Sequence, residues 1–365
     1  MNRRQEHENK ITRLRQLMIE AKLPGLLLST PANFSWATAG GNAVVSSIAP
    51  LAAASLLVTL DHVCVVCSNI EAGRIADEEV GELGCEMRSF DWFRGEVHAA
   101  ARKICRGRLG ADHPARGFKD VSGRIAPFRY SLCEAEVARY RKLCQATGES
   151  IGEVARSLQA GVRECEAAGR LRASLSARAI ESVVTLAAAD ERIAKYRHPV
   201  VTDKEAKETL MLVTCARRWG LIAAATRIVR FSPVSRELRR KHDAAVFVDA
   251  TMIMATRPGV ALADILKRAV EAYRSRRFGK EWKLHHQGGP TGYAPREFTA
   301  TPREKRCVVE NQAIAWNPSI TGTKSEDTIL ALEDRTEILT ESPGWPMVNV
   351  EIEGQIVRRP DLLVL

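Results

Sequence analysis

The sequence has no apolar run long enough to cross a bilayer. The runs at Leu26–Leu28 and Ala52–Leu60 fall well short of the roughly 20 residues a membrane helix needs. The opening stretch MNRRQEHENK is polar and charged, and no apolar core of a secretory signal follows it. A cytoplasmic protein with no membrane partner is the expectation. Paired cysteine motifs are also missing. Cys64 and Cys67 form a single C-x-x-C in a strand-like run, and no second pair completes a zinc site. The nine scattered cysteines therefore read as reduced thiols, mostly buried. No aromatic-rich RNA motif or zinc finger accompanies the net charge of +10. Arg217–Arg218, Arg276–Arg277 and Arg239–His242 are spread along the chain and read as solvated surface. Nucleic acid is not an expected partner; an anionic substrate is the functional alternative.

What is present fits a soluble globular chain of one large or two ordinary domains: 365 residues, 45% hydrophobic and 27% charged. The first third reads as α/β. Ile11–Ala21 has helical spacing, Leu26–Ser29 is strand-like, and Ser55–Leu60 with Val63–Cys67 suggests a hairpin about Asp61–His62. Helices are predicted over Ile70–Gly81 and Ala99–Arg106. Charge and helical periodicity change near residue 130, which divides the chain into an N-terminal domain, 1–130, and a second domain, 131–365. Glu134–Ala160 is strongly helical, Gly161–Val162 interrupts it, and a second helix is predicted from Glu164 to about Ile180. A weak echo follows: Gly259–Val260 precedes a helical stretch at Ala263–Arg274. The strand-like regions Val183–Ala187 and Trp282–His286 follow the two helices. Two related α/β halves would place a site between them.

Three polar clusters stand out. One is Leu284-His285-His286-Gln287-Gly288-Gly289-Pro290-Thr291-Gly292-Tyr293. Adjacent histidines on a strand point to opposite faces, so only one is expected to face a given cleft. The second is Trp316-Asn317-Pro318-Ser319-Ile320 with Lys324-Ser325-Glu326-Asp327-Thr328. The third is Tyr196-Arg197-His198-Pro199.

Together these clusters resemble the catalytic domain of the creatinase, aminopeptidase P and prolidase superfamily, and the likeness extends over most of the chain. Pro31–Thr38 looks like that family's turn-and-strand segment after the first strand, and Glu134–Gly161 is similar to its linking helix. The resemblance implies an α/β (α+β) chain, with an N-terminal creatinase-like domain and a C-terminal "pita-bread" domain. It also implies a homodimer acting on a small-molecule substrate.

The family's metalloenzymes use two Asp, one His and two Glu as ligands. Thr226-Arg227 marks the register and sets Val213 and Ala224 at the two Asp positions. His286 matches the His, Asn317 stands in place of the first Glu, and Glu326 matches the last. Two divalent cations about 3.5–4 Å apart need bridging carboxylates. One His and one Glu are also fewer than the three protein ligands of a catalytic zinc. The expectation is no metal and no cofactor.

Creatinase works without metal through a catalytic His in a His-x-Pro-Val-Thr segment, which His198-Pro199-Val200-Val201-Thr202 resembles with a one-residue difference in spacing. The resemblance implies His198 as general base and then acid, and Glu326 as the group that orients it or a substrate N–H. His286 becomes a donor to an oxyanion, Tyr293 an O–H donor, and Arg296 a fork for a substrate carboxylate. Asn317 removes a negative charge that a cationic guanidinium substrate would use. The expected reaction is metal-independent hydrolysis of a C–N bond (amide, lactam or amidine). His285 is expected to pack or cap, Arg227 to pair with a carboxylate, and Trp316 and Trp219 to fill core. Cys215, beside the cleft, is a nucleophile only if His198 lowers its pKa. Two alternatives stay open: a catalytically inactive binding protein of the same fold, and an Xaa-Pro-type aminopeptidase that binds metal through unexpected ligands.

Overall fold

The computed structural model describes residues 1–365. The chain forms two compact units. The first comprises Met1–Arg129, Cys133–Glu136 and Trp219–Leu221; the second comprises Tyr130–Leu132, Val137–Arg218 and Ile222–Leu365. No helix is long and apolar enough to cross a membrane, and all nine cysteines are free.

In the first unit, helix α1 (Arg3–Ala21) starts eight residues before the apolar spacing does. Asn2 explains this: its side chain accepts from Gln5 N at 2.9 Å, and Gln5 Oε1 accepts from Asn2 N at 3.1 Å. That reciprocal pair satisfies two of the helix's open N–H groups. Strand β1 (Gly25–Leu28) is followed by α2 (Pro31–Ala37), not by the expected turn and strand. Thr30 caps this helix and Pro31 occupies its first turn, where a missing N–H costs nothing. Strands β2 (Ala54–Thr59) and β3 (Val63–Ser68) form the predicted antiparallel hairpin. The predicted helix Ile70–Gly81 keeps only one α-turn and then widens to π-helical bonding over Ile75–Val80. β4 (Glu86–Phe90), α3 (Val97–Ile104), β5 (Gly110–Ala111) and β6 (Lys119–Asp120) complete a mixed sheet of order β4-β3-β2-β1-β5-β6.

The second unit is built twice from one plan. Its first half runs α4 (Glu134–Arg156), α5 (Glu164–Ser176), β7 (Glu181–Ala189), β8 (Thr209–Arg218) and β9 (Leu221–Arg230). The second half runs α6 (Arg236–Ala255), α7 (Leu262–Ser275), β10 (Gly288–Pro290) and β11 (Gln312–Trp316), then the short hairpin β12 (Ser319–Ile320) with β13 (Thr323–Lys324), and β14 (Asp327–Ala331). The repeat extends to individual backbone bonds. Gly161, Glu164 and Cys165 donate to Ala206, Lys204 and Thr202; Gly259, Leu262 and Ala263 donate to Val308, Arg306 and Glu304 with the same offsets. Bridges Arg163–Glu205 and Ala261–Cys307 sit at matching places. Gly161 and Gly259 hold φ of +89° and +87°, a conformation that favours glycine.

The remaining strands are β15 (Thr336–Ile338), β16 (Met347–Ile352), β17 (Gln355–Pro360) and β18 (Leu363–Val364). One sheet has the order β18-β9-β8-β7, the other β10-β11-β14-β15. β9 is buried along its whole length. Ala224 N donates to Thr328 Oγ1 at 2.7 Å and Thr226 N to Glu326 O at 3.1 Å, which locks β9 to β14. The larger apolar core packs Val248, Met252, Leu266, Tyr273, Trp316 and Ile329 between α6, α7 and the second sheet. Trp316 is fully buried, as expected, with its indole N–H on Thr256 Oγ1 at 2.9 Å.

Candidate active site

His198 lies in a loop that leaves the first sheet, and a set of buried ion pairs fixes that loop. Glu164, fully buried, accepts from Ala189 N, Thr202 N and Thr202 Oγ1, and pairs with Arg192 at 2.6 Å. Next to the histidine, Arg197 binds Glu281 at 2.6 Å and Thr321 Oγ1 at 3.0 Å. Glu281 accepts in turn from Thr321 N at 2.9 Å. His198 itself is left exposed.

The two adjacent histidines do not sit on a strand. Glu281–Leu284 is a 3-10 turn, and His285–Gln287 is irregular backbone leading into β10. Alternation between faces therefore does not apply, and both rings turn toward His198. Ring centroids are 5.0 Å apart for His198–His285, 5.7 Å for His198–His286 and 4.6 Å for His285–His286. His285, expected only to pack or cap, is buried with Nε2 at 3.2 Å from His198 Nε2 and Nδ1 at 3.2 Å from Ser319 Oγ. Gln287 secures the segment. Its amide donates to His285 O at 2.6 Å, and its oxygen accepts from Tyr273 at 2.8 Å. The glycines that follow are required sterically: a Cβ on Gly288 would meet Ala315 O at 2.1 Å, and one on Gly289 would meet Phe298 O at 2.5 Å.

Glu326 forms the second focus. Its Oε2 accepts from Thr226 Oγ1 and Lys324 Nζ, each at 2.6 Å, and Arg296 lies 3.4 Å from Oε1. Of its two expected partners, His198 or a substrate N–H, the carboxylate does not meet His198 and is held by a lysine and an arginine. Burial alone would raise its pKa, but Lys324 and Arg296 outweigh burial and keep the carboxyl below its usual range. The same two cations act on the imidazoles. Burial, then Lys324 and the other two histidines, press His285 down to about 2. Burial, then Arg296, press His286 down to about 4. His198 is lowered by burial and Lys324, against the pull of Glu326. All three shifts favour the neutral ring, beside two cations and one carboxylate.

The other expected residues fall as follows. Tyr293 is buried in the turn after β10. Asn317 is buried, its N–H on Gln287 O at 3.1 Å and its side-chain oxygen unpartnered. Burial, then Glu326, push the pKa of Cys215 up to about 11, opposite to the lowering that a nucleophilic thiolate needs. Arg227 does pair with a carboxylate, Asp327 at 2.9 Å. The expectation missed what stands behind that pair: Arg359 bridges Asp327 at 2.7 Å and Asp249 at 2.6 Å, all of them buried. It also missed Lys324, whose signal was available. Residues i and i+2 of an extended segment share a face, which sets Lys324 beside Glu326.

Five family ligands become a test of fit. Val213 is packed in an apolar cluster with Ala188, Met211 and Ile228. Ala224 is buried with its N–H used by Thr328. Asn317 is neutral, and Lys324 places an ammonium 2.6 Å from the one carboxylate left. This donor set does not fit a pair of divalent cations. The ligand count for a single ion, however, needs correction. One ring nitrogen from each of His198, His285 and His286 lies within 4.8 Å of the others.

Solved structures of the same fold include an Xaa-Pro dipeptidase from Bacillus anthracis, with TM-score 0.77 and 17% identity over 98% of this chain and 100% of that one. A prolidase from Pyrococcus horikoshii gives TM-score 0.77 and 17% identity over 95% and 100%. The N-terminal domain of the FACT complex subunit SPT16 from chickpea, Cicer arietinum, gives TM-score 0.68 and 12% identity over 93% and 96%. Among curated sequences, an uncharacterised peptidase of Staphylococcus aureus strain USA300 is 21% identical over 232 residues, 61% of this chain. The chain spans 66% of that relative's length. The two-unit α/β architecture, with its doubled second unit, is thus the creatinase and prolidase fold that the sequence resembled. Residues 138–356 match the model of metallopeptidase family M24, and the chain belongs to that family.

Proposed function

We propose that the chain hydrolyses a C–N bond, an amide or a related lactam or amidine, in a small polar molecule, without the paired metal ions of its family. The observation that carries this reading is the contact between His198 Nε2 and His285 Nε2 at 3.2 Å, beside two cations. With Nδ1–H of His285 donated to Ser319, its Nε2 accepts from His198 Nε2–H, and the Nδ1 lone pair of His198 is left for water. His198 takes a proton from water as the oxygen attacks the carbonyl carbon. The C–N bond then breaks, and the same proton passes to the leaving nitrogen. Arg296 and Lys324 offset the negative charge that develops on the carbonyl oxygen. They also favour a neutral or anionic substrate over a cationic one.

The test is depletion of compounds from dipeptide and metabolite mixtures by wild type and His198→Ala, with and without chelator. Consumption that survives chelator and is lost in the variant supports the reading; consumption that chelator abolishes sinks it. A second reading, a binding protein, draws on the Lys324–Glu326 pair, which satisfies the carboxylate internally, and on the likeness to the SPT16 domain. It is favoured if a ligand is retained by the protein and recovered unchanged.

A further inference from the structure

The three imidazoles have a second capacity that the loss of the family's acids leaves untouched. We propose that His198, His285 and His286 form a single-ion site for a borderline transition metal such as Zn²⁺, sharing only His286 with the ligand positions of the family's carboxylate-bridged pair, and that metal bound there switches hydrolysis off. The binding claim rests on geometry. A tetrahedral zinc with Zn–N bonds of about 2.0–2.1 Å sets its nitrogen ligands about 3.3–3.4 Å apart. The His198 and His285 Nε2 atoms are 3.2 Å apart, already at that edge length. A ring nitrogen of His286 lies within 4.8 Å of one on each of the other two residues, and His286 is an exposed side chain free to rotate toward them.

The ring of His285 is also oriented as a ligand ring should be. Its far nitrogen, Nδ1, is engaged by Ser319 Oγ at 3.2 Å, the outer contact that fixes tautomer and direction in metal-binding histidines. His198 and His286 are exposed, so an ion reaches the site from solvent. Three nitrogen donors select Zn²⁺, Co²⁺, Ni²⁺ or Cu²⁺ over Mg²⁺ and Ca²⁺, which prefer oxygen. Lys324 and Arg296 repel the ion, and Glu326 cancels only part of that charge. The site is therefore a reversible one rather than a permanently loaded centre. The inhibitory consequence rests on the proposed role of His198: metal on its Nε2 moves the ring proton to Nδ1, which removes the Nδ1 lone pair that would take a proton from water.

The experiment is calorimetric titration of tag-free, chelator-dialysed full chain with ZnCl₂, with MgCl₂ as control, and Co²⁺ absorption in the visible to report tetrahedral nitrogen ligation. One Zn²⁺ per chain and no Mg²⁺ binding are expected. His286→Ala and His198→Ala are exposed-site changes that leave the fold intact, and each is expected to weaken Zn²⁺ binding at least tenfold. His285→Ala is expected to do the same, with thermal melting to verify folding. Unchanged affinity in His286→Ala and His198→Ala, or no saturable Zn²⁺ binding by wild type, overturns the site. Because these readouts need no substrate, they stand apart from the hydrolase reading. Zinc that binds as expected while leaving substrate consumption unaffected overturns the switch and the base role of His198, but not the metal site.

Discussion

The two halves of the second unit share a backbone plan down to individual hydrogen bonds, yet they carry unequal chemistry. In the first half, β8 and β9 carry Val213 and Ala224, the positions that the sequence resemblance sets against the family's two Asp ligands. Those positions have been absorbed into packing and strand pairing. In the second half, the equivalent region holds His285, His286, Arg296, Lys324 and Glu326, backed by the buried Asp249 and Asp327, which Arg359 of β17 bridges; Asp327 also reaches Arg227 on β9 of the first half. Backbone repetition thus conserves shape, while the side chains decide which half acts. The first half contributes one exposed group, His198, on a loop pinned to the second by Arg197 and Glu281.

The largest expected effect is on stability. Removing one partner from a buried charge network costs roughly 3–5 kcal/mol. Asp327→Ala removes the carboxylate paired with Arg227 and one of the two paired with Arg359, both fully buried, and should lose that much in denaturant unfolding. Val213→Ala, at the family's ligand position in the first half, should lose only about 2 kcal/mol, the value of two methyl groups plus a small cavity. Equal losses would erase the contrast between the ion-paired surroundings of Asp327 and the apolar surroundings of Val213.

Restoring the acids is the next test. Val213→Asp with Ala224→Asp puts two carboxylates into packed, unpaired surroundings and should destabilise the chain by roughly 3 kcal/mol or more. It should not recover a two-ion centre, because Asn317 and the Lys324–Glu326 pair remain. Two ions per chain by elemental analysis would show that the donor set is less altered than the packing indicates.

Much of this was legible in sequence. Helical periodicity located α4, α5 and α7, and Thr226-Arg227 set the register that identified Val213 and Ala224. The polar clusters drew attention to His198, His286 and Glu326, and the family resemblance to Arg296. What was not legible depends on contacts far apart in the chain. No local pattern joins Asp249 to Arg359, or Arg197 to Glu281. The histidine pair was misjudged because alternation was applied to a segment that is a 3-10 turn followed by irregular backbone. Pro31–Thr38 was misjudged because Thr30 capping outweighed the strand-like setting.

The base role of His198 separates stability from activity. His198 is exposed, so His198→Ala should change unfolding free energy by no more than about 0.5 kcal/mol. The rate on an identified substrate should fall about 10²–10⁴-fold, the usual range for a lost acid–base group. A variant that melts early would mean the loop is structural, and a variant with full activity would move the chemistry wholly into the second half.

Acid should also discriminate between the halves, with the smallest expected effect. His242, on α6, is buried with Nε2–H donated to Pro360 O at 3.1 Å and Nδ1 against Thr323 Oγ1 at 2.8 Å. Burial lowers its pKa first, with Arg239 acting the same way and Asp361 and Asp243 opposing. The folded value therefore lies below the 6.5 of the unfolded chain. Under those conditions the unfolded state binds the proton first, so stability is complete above pH 6.5 and is lost as pH falls toward the folded pKa. The slope is at most about 1.4 kcal/mol per pH unit for one such group. His285, buried and pressed down to about 2, adds to it with the same sign. The first half's sole histidine, His198, lies on an exposed loop outside its strands. Between pH 7 and pH 5, amide exchange should thus quicken in α6, β13 and β17 before it does in β7, β8 and β9. His242→Gln, which keeps a donor for Pro360 but cannot titrate, should flatten the pH dependence measured by denaturant unfolding. Exchange that quickens equally in both halves would mean that they unfold as one cooperative body, whatever their difference in charge.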